Sequence, residues 1–376
     1  MKFAHEYRDK SLAWAVAETI GRRVDPARDY TLMEVCGGHT HAICRYGMID
    51  LLPENVRLVH GPGCPVCVLP IGRIDQAIAM ATQPHVTLAT FGDMMRVPGS
   101  DHKTLQGTKS AGADIRIVYS VLDALEVARK NPDRQVIFFA IGFETTAPAT
   151  ALALQMAARE RLGNFFVFCT HVSTPSAIDG IFATNAARSG QMRIDGIIGP
   201  GHVAAITGSD YYQDVAARHR LPMVISGFEP LDLLQSILML IDQINDGRAE
   251  VETQYARAVT TGGNARAQAM MRDVFVARDS FDWRGLGELP ASALRLAPAY
   301  ERYDAELIFG IDYRRVADNP ACSCIDILCG VKQPLDCRLF GKVCTPETPV
   351  GACMVSPEGT CSAYWQHARH RAGETA

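Results

Sequence analysis

Short apolar runs rich in β-branched residues recur along the first 226 residues, and each run predicts a buried β-strand. Eight such runs lie at 31–35, 56–60, 86–91, 115–119, 136–141, 165–170, 194–198 and 222–226. Stretches with helical periodicity, such as 72–81 and 147–162, separate most of them. Nearly continuous apolar strands that alternate with helices are typical of parallel sheets covered on both faces. The pattern therefore predicts an α/β fold.

The eight predicted strands allow two arrangements, either one barrel or two four-stranded α/β units. Tetrapeptide echoes between the two halves of the chain favour two units. These echoes are GPGC at 61–64 with GPGH at 199–202, and TFGD at 90–93 with SGFE at 226–229. We therefore predict a first α/β domain at 30–135 and a second at 136–229, facing each other across a cleft.

The pattern changes after residue 230. Residues 230–245 and 263–275 have helical periodicity, and the C-terminal stretch is rich in turns and cysteine. We predict a third, mainly helical and loop-rich domain at 230–376, joined by an N-terminal helix within 1–25. The apolar face of that helix is formed by Leu12, Ala13, Val16, Ala17 and Ile20.

Unusual polar residues follow the predicted strands at the point where each strand ends. The peptides are CGGHTH, GPGCPVC and FGDMM after the first three strands, and GFETT, HVSTPS, GPGH and GFEP after the last four. Ligands of open parallel sheets bind beyond the carboxyl ends of the strands. Glycine and proline commonly end strands, but that habit does not account for the Cys, His, Glu and Asp beside them. We expect these peptides to meet in one cleft.

Composition and charge narrow the classes of function. Apolar residues make up 48% of the chain, charged residues 21%, and the formal net charge is −4. Without a basic stripe, nucleic acid is not expected as the main partner. No apolar run approaches the ~18 residues of a membrane span, and charges interrupt the N-terminal stretch where a signal peptide would be apolar. These features predict a cytoplasmic globular protein.

Cysteine is the unusual component of this composition. The chain has twelve cysteines, and seven of them lie between Cys322 and Cys361. A reducing cytoplasm disfavours a disulfide framework in a chain of this size, so the density indicates metal or redox chemistry. Four thiolates in a Gly- and Pro-rich loop suit an iron–sulfur cluster, and a four-cysteine zinc site is the main competitor. Isolated Cys44 and Cys169 are expected to be buried structural thiols.

The peptide CGGHTH leaves several kinds of chemistry open. Its two glycines allow a sharp turn after the strand and a close approach to a ligand. Cys36 would then project into the cleft, where a thiolate suits iron or zinc. His39 and His41 are candidate ligands, proton carriers or residues that orient Cys36, and each is equally compatible with a structural role.

Two further peptides carry candidate groups. Cys64 and Cys67 form a C-x-x-C pair, a spacing that can bind a metal or close a redox-active disulfide. Glu144, in GFETT, follows the fifth strand and precedes a helix, where it is a candidate acid–base group or a partner of a metal-bound histidine. Capping of that helix by Thr145 or Thr146 is the alternative reading of this peptide.

Taken together, these motifs resemble the HypD family of nickel–iron hydrogenase maturation factors. The resemblance rests on CGGHTH, GPGCPVC, GFETT, HVS and the C-terminal CTPETPVGACMVSPEGTCSAY, which together span residues 36–364. It implies two α/β domains facing a cleft and a third domain that holds a 4Fe–4S cluster. It also implies a scaffold that acts with the small chaperone HypC, on which iron receives two cyanides and one carbon monoxide. HypE supplies the cyanide as a thiocyanate on its C-terminal cysteine.

The resemblance also assigns roles to individual residues. Cys36 would hold the iron under assembly together with the N-terminal cysteine of HypC, supported by His39 and His41. Cys64 and Cys67 would be the redox pair of the cleft. The cluster spacing C-x14-C-x6-C-x16-C falls on Cys322, Cys337, Cys344 and Cys361. Cys324 and Cys353 would be redox thiols beside the cluster, whereas Cys329 receives no role.

We therefore expect an assembly scaffold with redox activity, rather than an enzyme that turns over a small substrate. An alternative is a free-standing thiol–disulfide oxidoreductase that carries an iron–sulfur cluster and uses Cys64 and Cys67. A binding module stabilised by zinc is a third interpretation. Metal content separates the third from the first two.

Overall fold

The structure is a computed structural model that describes residues 5–187, 190 and 192–368. Within these ranges the strands are β1 Tyr30–Glu34, β2 Val56–His60, β3 Val86–Thr90, β4 Asp114–Ile117, β5 Gln135–Gly142, β6 Phe165–His171, β7 Gly196–Pro200, β8 Met223–Ser226, β9 Val251–Thr253, β10 Phe275–Ala277, β11 Ser280–Trp283, β12 Gly287–Pro290 and β13 Leu294–Leu296.

The helices in the same ranges are α1 Lys10–Arg23, α2 Gly37–Arg45, α3 Pro65–Val68, α4 Ile71–Ala81, α5 Leu105–Ser110, α6 Val121–Lys130, α7 Ala147–Glu160, α8 Thr174–Ala187, α9 Gly201–Thr207, α10 Gln213–His219, α11 Pro230–Asn245, α12 Ala265–Val274, α13 Ala305–Phe309, α14 Cys324–Leu328 and α15 Thr360–His367. None of these described helices is long and apolar enough to cross a membrane.

Two parallel sheets form the framework, which confirms the predicted α/β class. The first sheet has the order β2-β1-β7-β8-β9, and the second has the order β4-β3-β5-β6. All pairings within these two sheets are parallel. The eight strands predicted from the apolar runs are β1 to β8 in the structure, with ends that differ by one or two residues. Most of their residues are buried, as expected for sheets covered on both faces.

The chain distributes its strands between the sheets differently from the predicted grouping. The first sheet takes its strands from residues 30–60 and 196–253, and the second takes its strands from residues 86–171. The sheets are therefore not divided at residue 135. A parallel strand needs a long crossover whichever sheet it joins, so sequential order alone does not determine which sheet receives it.

The N-terminal helix covers the first sheet instead of the cysteine-rich region. Helix α1 packs against α11, and both contribute to an apolar cluster with β1, β2, β7 and β8. Ala13, Ala17 and Ile20 are buried, as predicted, and Val16 is half-buried. Leu12 is 53% exposed, so its placement on the buried face was wrong.

The C-terminal third of the chain packs onto the ends of both sheets. Strands β10 and β13 pair antiparallel, as do β11 and β12, and the chain beyond α13 consists of short helices and turns. Cys324, Cys344, Cys353 and Cys361 belong to the same apolar core as residues of both sheets. Because this core is shared, the cysteine-rich stretch does not stand apart from the sheets, and a third domain stays a prediction.

The first two strand-end loops of the first sheet cross in contact. Strands β1 and β2 pair with Glu34 opposite His60, and the Gly61 amide then donates to the Glu34 carbonyl at 2.7 Å. The Gly37 amide donates to the Gly63 carbonyl at 3.2 Å. A Cβ atom at Gly63 would overlap the backbone of Cys36, so this approach requires glycine.

Gly63→Ala is expected to lower the free energy of unfolding by about 1–3 kcal/mol, the usual cost of forcing an extra methyl group into a packed interior. Chemical denaturation followed by far-UV circular dichroism measures this loss. Gly21→Ala in α1 is the matched control, because a Cβ there meets no atom within 4 Å. An Ala at Gly21 stabilises a helix slightly. Equal stability of the two variants would contradict the proposed crossing.

Candidate functional site

Cys36 lies at the junction between β1 and α2, where the extended strand ends and the helix begins. It is the N-cap residue of α2, with φ −153° and ψ 122°, and it is 1% exposed. Its Sγ lies 3.4 Å from Nδ1 of His202, which follows β7 in the peptide GPGH. The neighbouring strand ends β1 and β7 therefore bring a thiol and an imidazole into contact, as the convergence of strand-end peptides predicts.

The environment of Cys36 keeps its thiol protonated. Burial is the main cause that raises the pKa of this thiol, and the nearby Glu34 raises it further. The backbone amide of His39, at the start of α2, lowers the pKa but does not outweigh burial. A bound cation would reverse this balance, because a coordinating thiol is deprotonated outright.

His39 and His41 point to opposite sides of α2. His39 is fully buried beside Cys36, and its Nε2 lies 3.3 Å from the Ser226 carbonyl oxygen, to which it donates. Its Nδ1 therefore carries the lone pair, and among the described residues it has no hydrogen-bond partner. His41 instead faces the C-terminal helix, with its ring 4.9 Å from that of His367. Of the two histidines, only His39 contacts the thiol, through its backbone amide.

Cys64 and Cys67 form a disulfide at the start of α3. Both are buried, and Cys64 directly follows Gly63, the residue that contacts the Cys36 backbone. On its other side, α3 packs against the turn at 352–354, which carries Cys353. The disulfide therefore lies between the strand-end cleft and the cysteine-rich stretch.

Glu144 lies at the end of β5, in the second sheet, and is buried. It accepts hydrogen bonds from the Thr174 amide and hydroxyl and from the Tyr211 hydroxyl, each at 2.8 Å. Burial raises the pKa of Glu144 in spite of these donors. Thr146 is the N-cap of α7, but its side chain makes no capping hydrogen bond. The network orders the junction between the sheets and does not reach Cys36 by a hydrogen bond among the described residues.

Tyr212 fills the space between Glu144 and Cys36. Its side chain is fully buried, and its hydroxyl has no hydrogen-bond partner among the described residues. Burial raises its pKa first, followed by Glu144, Tyr211 and Cys36, which lie around it. The Thr174 side chain lies beside this hydroxyl and lowers its pKa, but the two side chains do not meet the geometry of a full hydrogen bond. Tyr212 therefore retains its proton.

The peptide at 356–358 closes the cleft from the cysteine-rich side. The Ser356 hydroxyl donates to Asp93, which follows β3, at 2.7 Å. Two residues on, Glu358 packs directly against Gly37, where any side chain would overlap it. Burial and the neighbouring Asp93 raise the pKa of Glu358. Strand ends from both sheets and the C-terminal stretch thus border the same space.

Six cysteines of the C-terminal stretch line one small cavity. They are Cys322, Cys324, Cys337, Cys344, Cys353 and Cys361, with Ile327, Leu339, Phe340, Gly351 and Met354 as their apolar neighbours. The four cysteines assigned to the cluster and the two assigned as redox thiols are all in this set. Cys329 is buried and does not line the cavity. Cys44 and Cys169 are also buried, as expected of structural thiols.

The cavity is chemically suited to a thiolate-bound group but is not preorganised as a metal site. In the part of the chain that the structure describes, no three His, Cys, Asp or Glu residues are grouped as metal ligands. The thiols of Cys322 and Cys353 both contact that of Cys324. Burial raises the pKa of Cys337, but the amides of Ser323 and Leu339 lower it below its usual value. Soft sulfur donors on apolar walls suit iron–sulfur or zinc ligation.

Sequence reasoning missed the polar residues that hold Cys36 in place. Glu34 accepts the Cys36 amide at 2.8 Å, the Thr40 hydroxyl, and a hydrogen bond from Nδ1 of His60 at 2.7 Å. Nε2 of His60 reaches the Tyr364 hydroxyl at 3.1 Å. The available signal was a polar, ionisable residue at the end of each of two apolar strands, TLME and VRLVH. His202 was visible only as the last residue of the echoed GPGH.

Comparison with known proteins places the chain in a family. The family profile described as "HypD: Hydrogenase formation hypA family" matches residues 11–368. The chain is 59% identical to the hydrogenase maturation factor HypD of Rhizobium leguminosarum bv. viciae, covering 99% of this chain and 97% of the relative. It is 53% identical to HypD of Cupriavidus necator (99% and 98%) and 44% identical to HypD of Escherichia coli (98% of each). The chain belongs to the HypD family of hydrogenase maturation factors.

Proposed function

We propose that this chain is a cytoplasmic scaffold and redox factor on which the Fe(CN)2CO group of nickel–iron hydrogenases is assembled. The observation that carries this proposal is Cys36, a buried thiol at a helix N-terminus, 3.4 Å from His202 and next to the Cys64–Cys67 disulfide. A single protein thiol leaves most positions on an iron ion open for other ligands. Such an anchor suits a scaffold better than it suits a permanent metal site.

The polar atoms around Cys36 support a polar cargo. His39 Nδ1, the Ser226 hydroxyl and the Tyr212 hydroxyl are all buried and lack partners among the described residues. An unpaired buried polar group costs on the order of 1–3 kcal/mol, so these groups gain when a ligand pairs with them. Iron-bound cyanide accepts hydrogen bonds through its nitrogen, and the Tyr212 hydroxyl is suited to donate one.

A 4Fe–4S cluster is the group that best fits the C-terminal cavity. Cys322, Cys337, Cys344 and Cys361 would hold it, in agreement with their position around one cavity. When bound, such a cluster supplies single electrons at low potential. Cys324 and Cys353 would remain as free thiols, and their contact with each other suits them to form a disulfide. The cavity would also accept zinc, which supplies no electrons.

The position of the disulfide suggests a route for reducing equivalents. If Cys324 and Cys353 are reduced, the Cys353 thiolate can attack the Cys64–Cys67 disulfide, since the turn that carries Cys353 packs on α3. Cys324 would then resolve the mixed disulfide. One new disulfide forms between Cys324 and Cys353, and Cys64 and Cys67 gain two electrons and two protons. Reductive release of cyanide from a thiocyanate needs the same two electrons.

Two partners complete the proposal. HypC would bind at the cleft and contribute its N-terminal cysteine as a second thiolate to the iron on Cys36. HypE would present the thiocyanate of its C-terminal cysteine to the same cleft. The Cys36 thiol is buried among strand ends and the peptide at 356–358, so an extended chain terminus would reach it more easily than a folded surface.

A second candidate is a free-standing thiol–disulfide oxidoreductase, which the Cys64–Cys67 disulfide favours by itself. Burial of both cysteines argues against it, because general oxidoreductases expose the attacking thiol. Steady-state reduction of small disulfides by the isolated chain, without HypC or HypE, would favour this second candidate.

Cys36→Ala is expected to abolish hydrogenase maturation while the fold and the cluster at the C-terminal cysteines stay unchanged, because only the anchor of the iron under assembly is lost. Hydrogenase activity in cells that carry the variant measures this effect. Cys169→Ala is the matched control, since Cys169 is also a fully buried thiol, and it lies within β6 of the other sheet. Normal maturation with Cys36→Ala would refute the role of Cys36.

Anaerobically purified protein is expected to be brown and to contain iron and sulfide in equal amounts. Cys337→Ser and Cys344→Ser should lose both, because each removes a thiolate of the cluster. Cys329→Ser should retain both, because Cys329 does not line the cavity. Elemental analysis and visible absorption provide the measurement. A colourless protein that contains zinc would contradict the cluster.

A further inference from the structure

A continuous chain of buried hydrogen bonds links the backbone of Cys36 to the C-terminal helix. Glu34 accepts the Cys36 amide at 2.8 Å, and its other oxygen lies 2.7 Å from Nδ1 of His60. Nε2 of His60 lies 3.1 Å from the Tyr364 hydroxyl, which donates to the Gln333 side chain at 2.7 Å. Glu34 and His60 are each 1% exposed, and Tyr364 is 5% exposed.

The contacts of Gln333 determine which group Tyr364 donates its hydrogen bond to. The Gln333 amide nitrogen donates to the Leu58 carbonyl at 3.4 Å, so the Gln333 side-chain oxygen faces Tyr364 as an acceptor. The single hydroxyl hydrogen of Tyr364 is thereby committed to Gln333. The Tyr364 oxygen keeps lone pairs that accept from Nε2 of His60 when that nitrogen carries a hydrogen. The contacts at both ring nitrogens, with Glu34 and with Tyr364, fix the ring orientation of His60.

One end of this hydrogen-bond series lies at the Cys36 site, and the other lies near the cysteine cavity. Glu34 binds the amide of Cys36 and the hydroxyl of Thr40, and thereby holds the first turn of α2. Tyr364 lies on α15, one turn after Cys361, which lines the cysteine cavity. His60, at the end of β2, is the direct bridge between the two. Displacement of α15 would therefore remove the acceptor that orients His60.

We propose that His60 and Tyr364 are positioning residues for Cys36, which couple the presentation of its thiol to the seating of α15. This inference rests on the proposed function, in which Cys36 anchors iron and Cys361 holds a cluster. A cysteine cavity that is incompletely filled would loosen α15. The hydrogen bonds through Tyr364, His60 and Glu34 would transmit that displacement to the first turn of α2. Cys36 would then be held in its buried position only when the cysteine-rich stretch is in place.

Tyr364→Phe tests the proposal, because it removes one hydroxyl and leaves the ring. The rate of Cys36 alkylation by iodoacetamide, followed by peptide mass spectrometry, reports how often the thiol opens to solvent. We expect the rate to rise by about fivefold, the factor for the loss of one buried hydrogen bond. Cys169 reports global unfolding, because it is a buried thiol far along the chain from Cys36. Its alkylation rate should not change, because Tyr364→Phe is expected to act only locally. The ratio of the two rates therefore isolates the local effect.

Tyr30→Phe is the matched control variant. Tyr30 is fully buried, and its hydroxyl also accepts one hydrogen bond, from the Asp25 amide at 2.9 Å, and donates one, to Asn245 at 2.6 Å. It lies at the opposite end of β1 from Cys36. The ratio of Cys36 to Cys169 alkylation in Tyr30→Phe should equal that of the unmodified chain. An equal ratio in Tyr30→Phe and Tyr364→Phe would overturn the proposal.

His60→Asn provides a second, independent variant. The Asn amide nitrogen takes the place of Nδ1, so it retains the hydrogen bond to Glu34 and loses the contact with Tyr364. It should raise the ratio as Tyr364→Phe does, and the double variant should equal either single variant, because both break the same chain. Additive effects would refute a serial chain. This assay needs no cargo, so its outcome is independent of whether Cys36→Ala blocks maturation.

Discussion

The contact between the glycine loop at 61–63 and the backbone of Cys36 is the constraint on which the site depends. Adjacent parallel strands end at the same edge of the sheet, so the loops that follow β1 and β2 must share that space. They fit because Gly63 has no side chain. The same crossing brings the Cys64–Cys67 disulfide next to Cys36. One steric requirement therefore places the proposed anchor and the proposed redox pair side by side.

Electrostatics explains why the proposed anchor would stay unreactive until a metal cation binds. Burial and Glu34 raise the pKa of Cys36, so the free thiol keeps its proton. A metal cation bound there would supply positive charge beside the buried thiol and favour the thiolate. Within the described residues, polar atoms of His39, Ser226 and Tyr212 lack hydrogen-bond partners, and a ligand bound at the proposed site would satisfy them. Both features support an occupant at the proposed site.

Sequence reasoning was most successful where the physical signal is local. Apolar runs identified β1 to β8, and strand-end peptides identified Cys36 and the C-x-x-C pair, because burial and turn chemistry act within a few residues. The assignment of strands to sheets was not predictable in this way, since the crossovers that carry β7 and β8 back beside β1 leave no local mark. Family resemblance, not periodicity, supplied the roles of the cysteines.

The residues that support Cys36 were not predicted from the sequence, because their contacts are also not local. Glu34 and His60 close apolar strands, where a polar residue usually marks the end of the element, and only the register of β1 with β2 shows that they face each other. His41 was grouped with His39 by proximity in sequence, but residues two positions apart in a helix lie on nearly opposite faces. Contacts such as that of Cys36 with His202 join residues 166 positions apart, beyond the reach of a local pattern.

The central claim is that Cys36 holds iron that carries cyanide and carbon monoxide. Infrared spectroscopy of the chain purified anaerobically together with HypC tests it most directly, because metal-bound cyanide and carbon monoxide have distinctive stretching bands. The account predicts these bands in the unmodified complex and their absence in the Cys36→Ala complex, with the visible absorption of the cluster retained in both. Bands of equal intensity in the Cys36→Ala complex would contradict it.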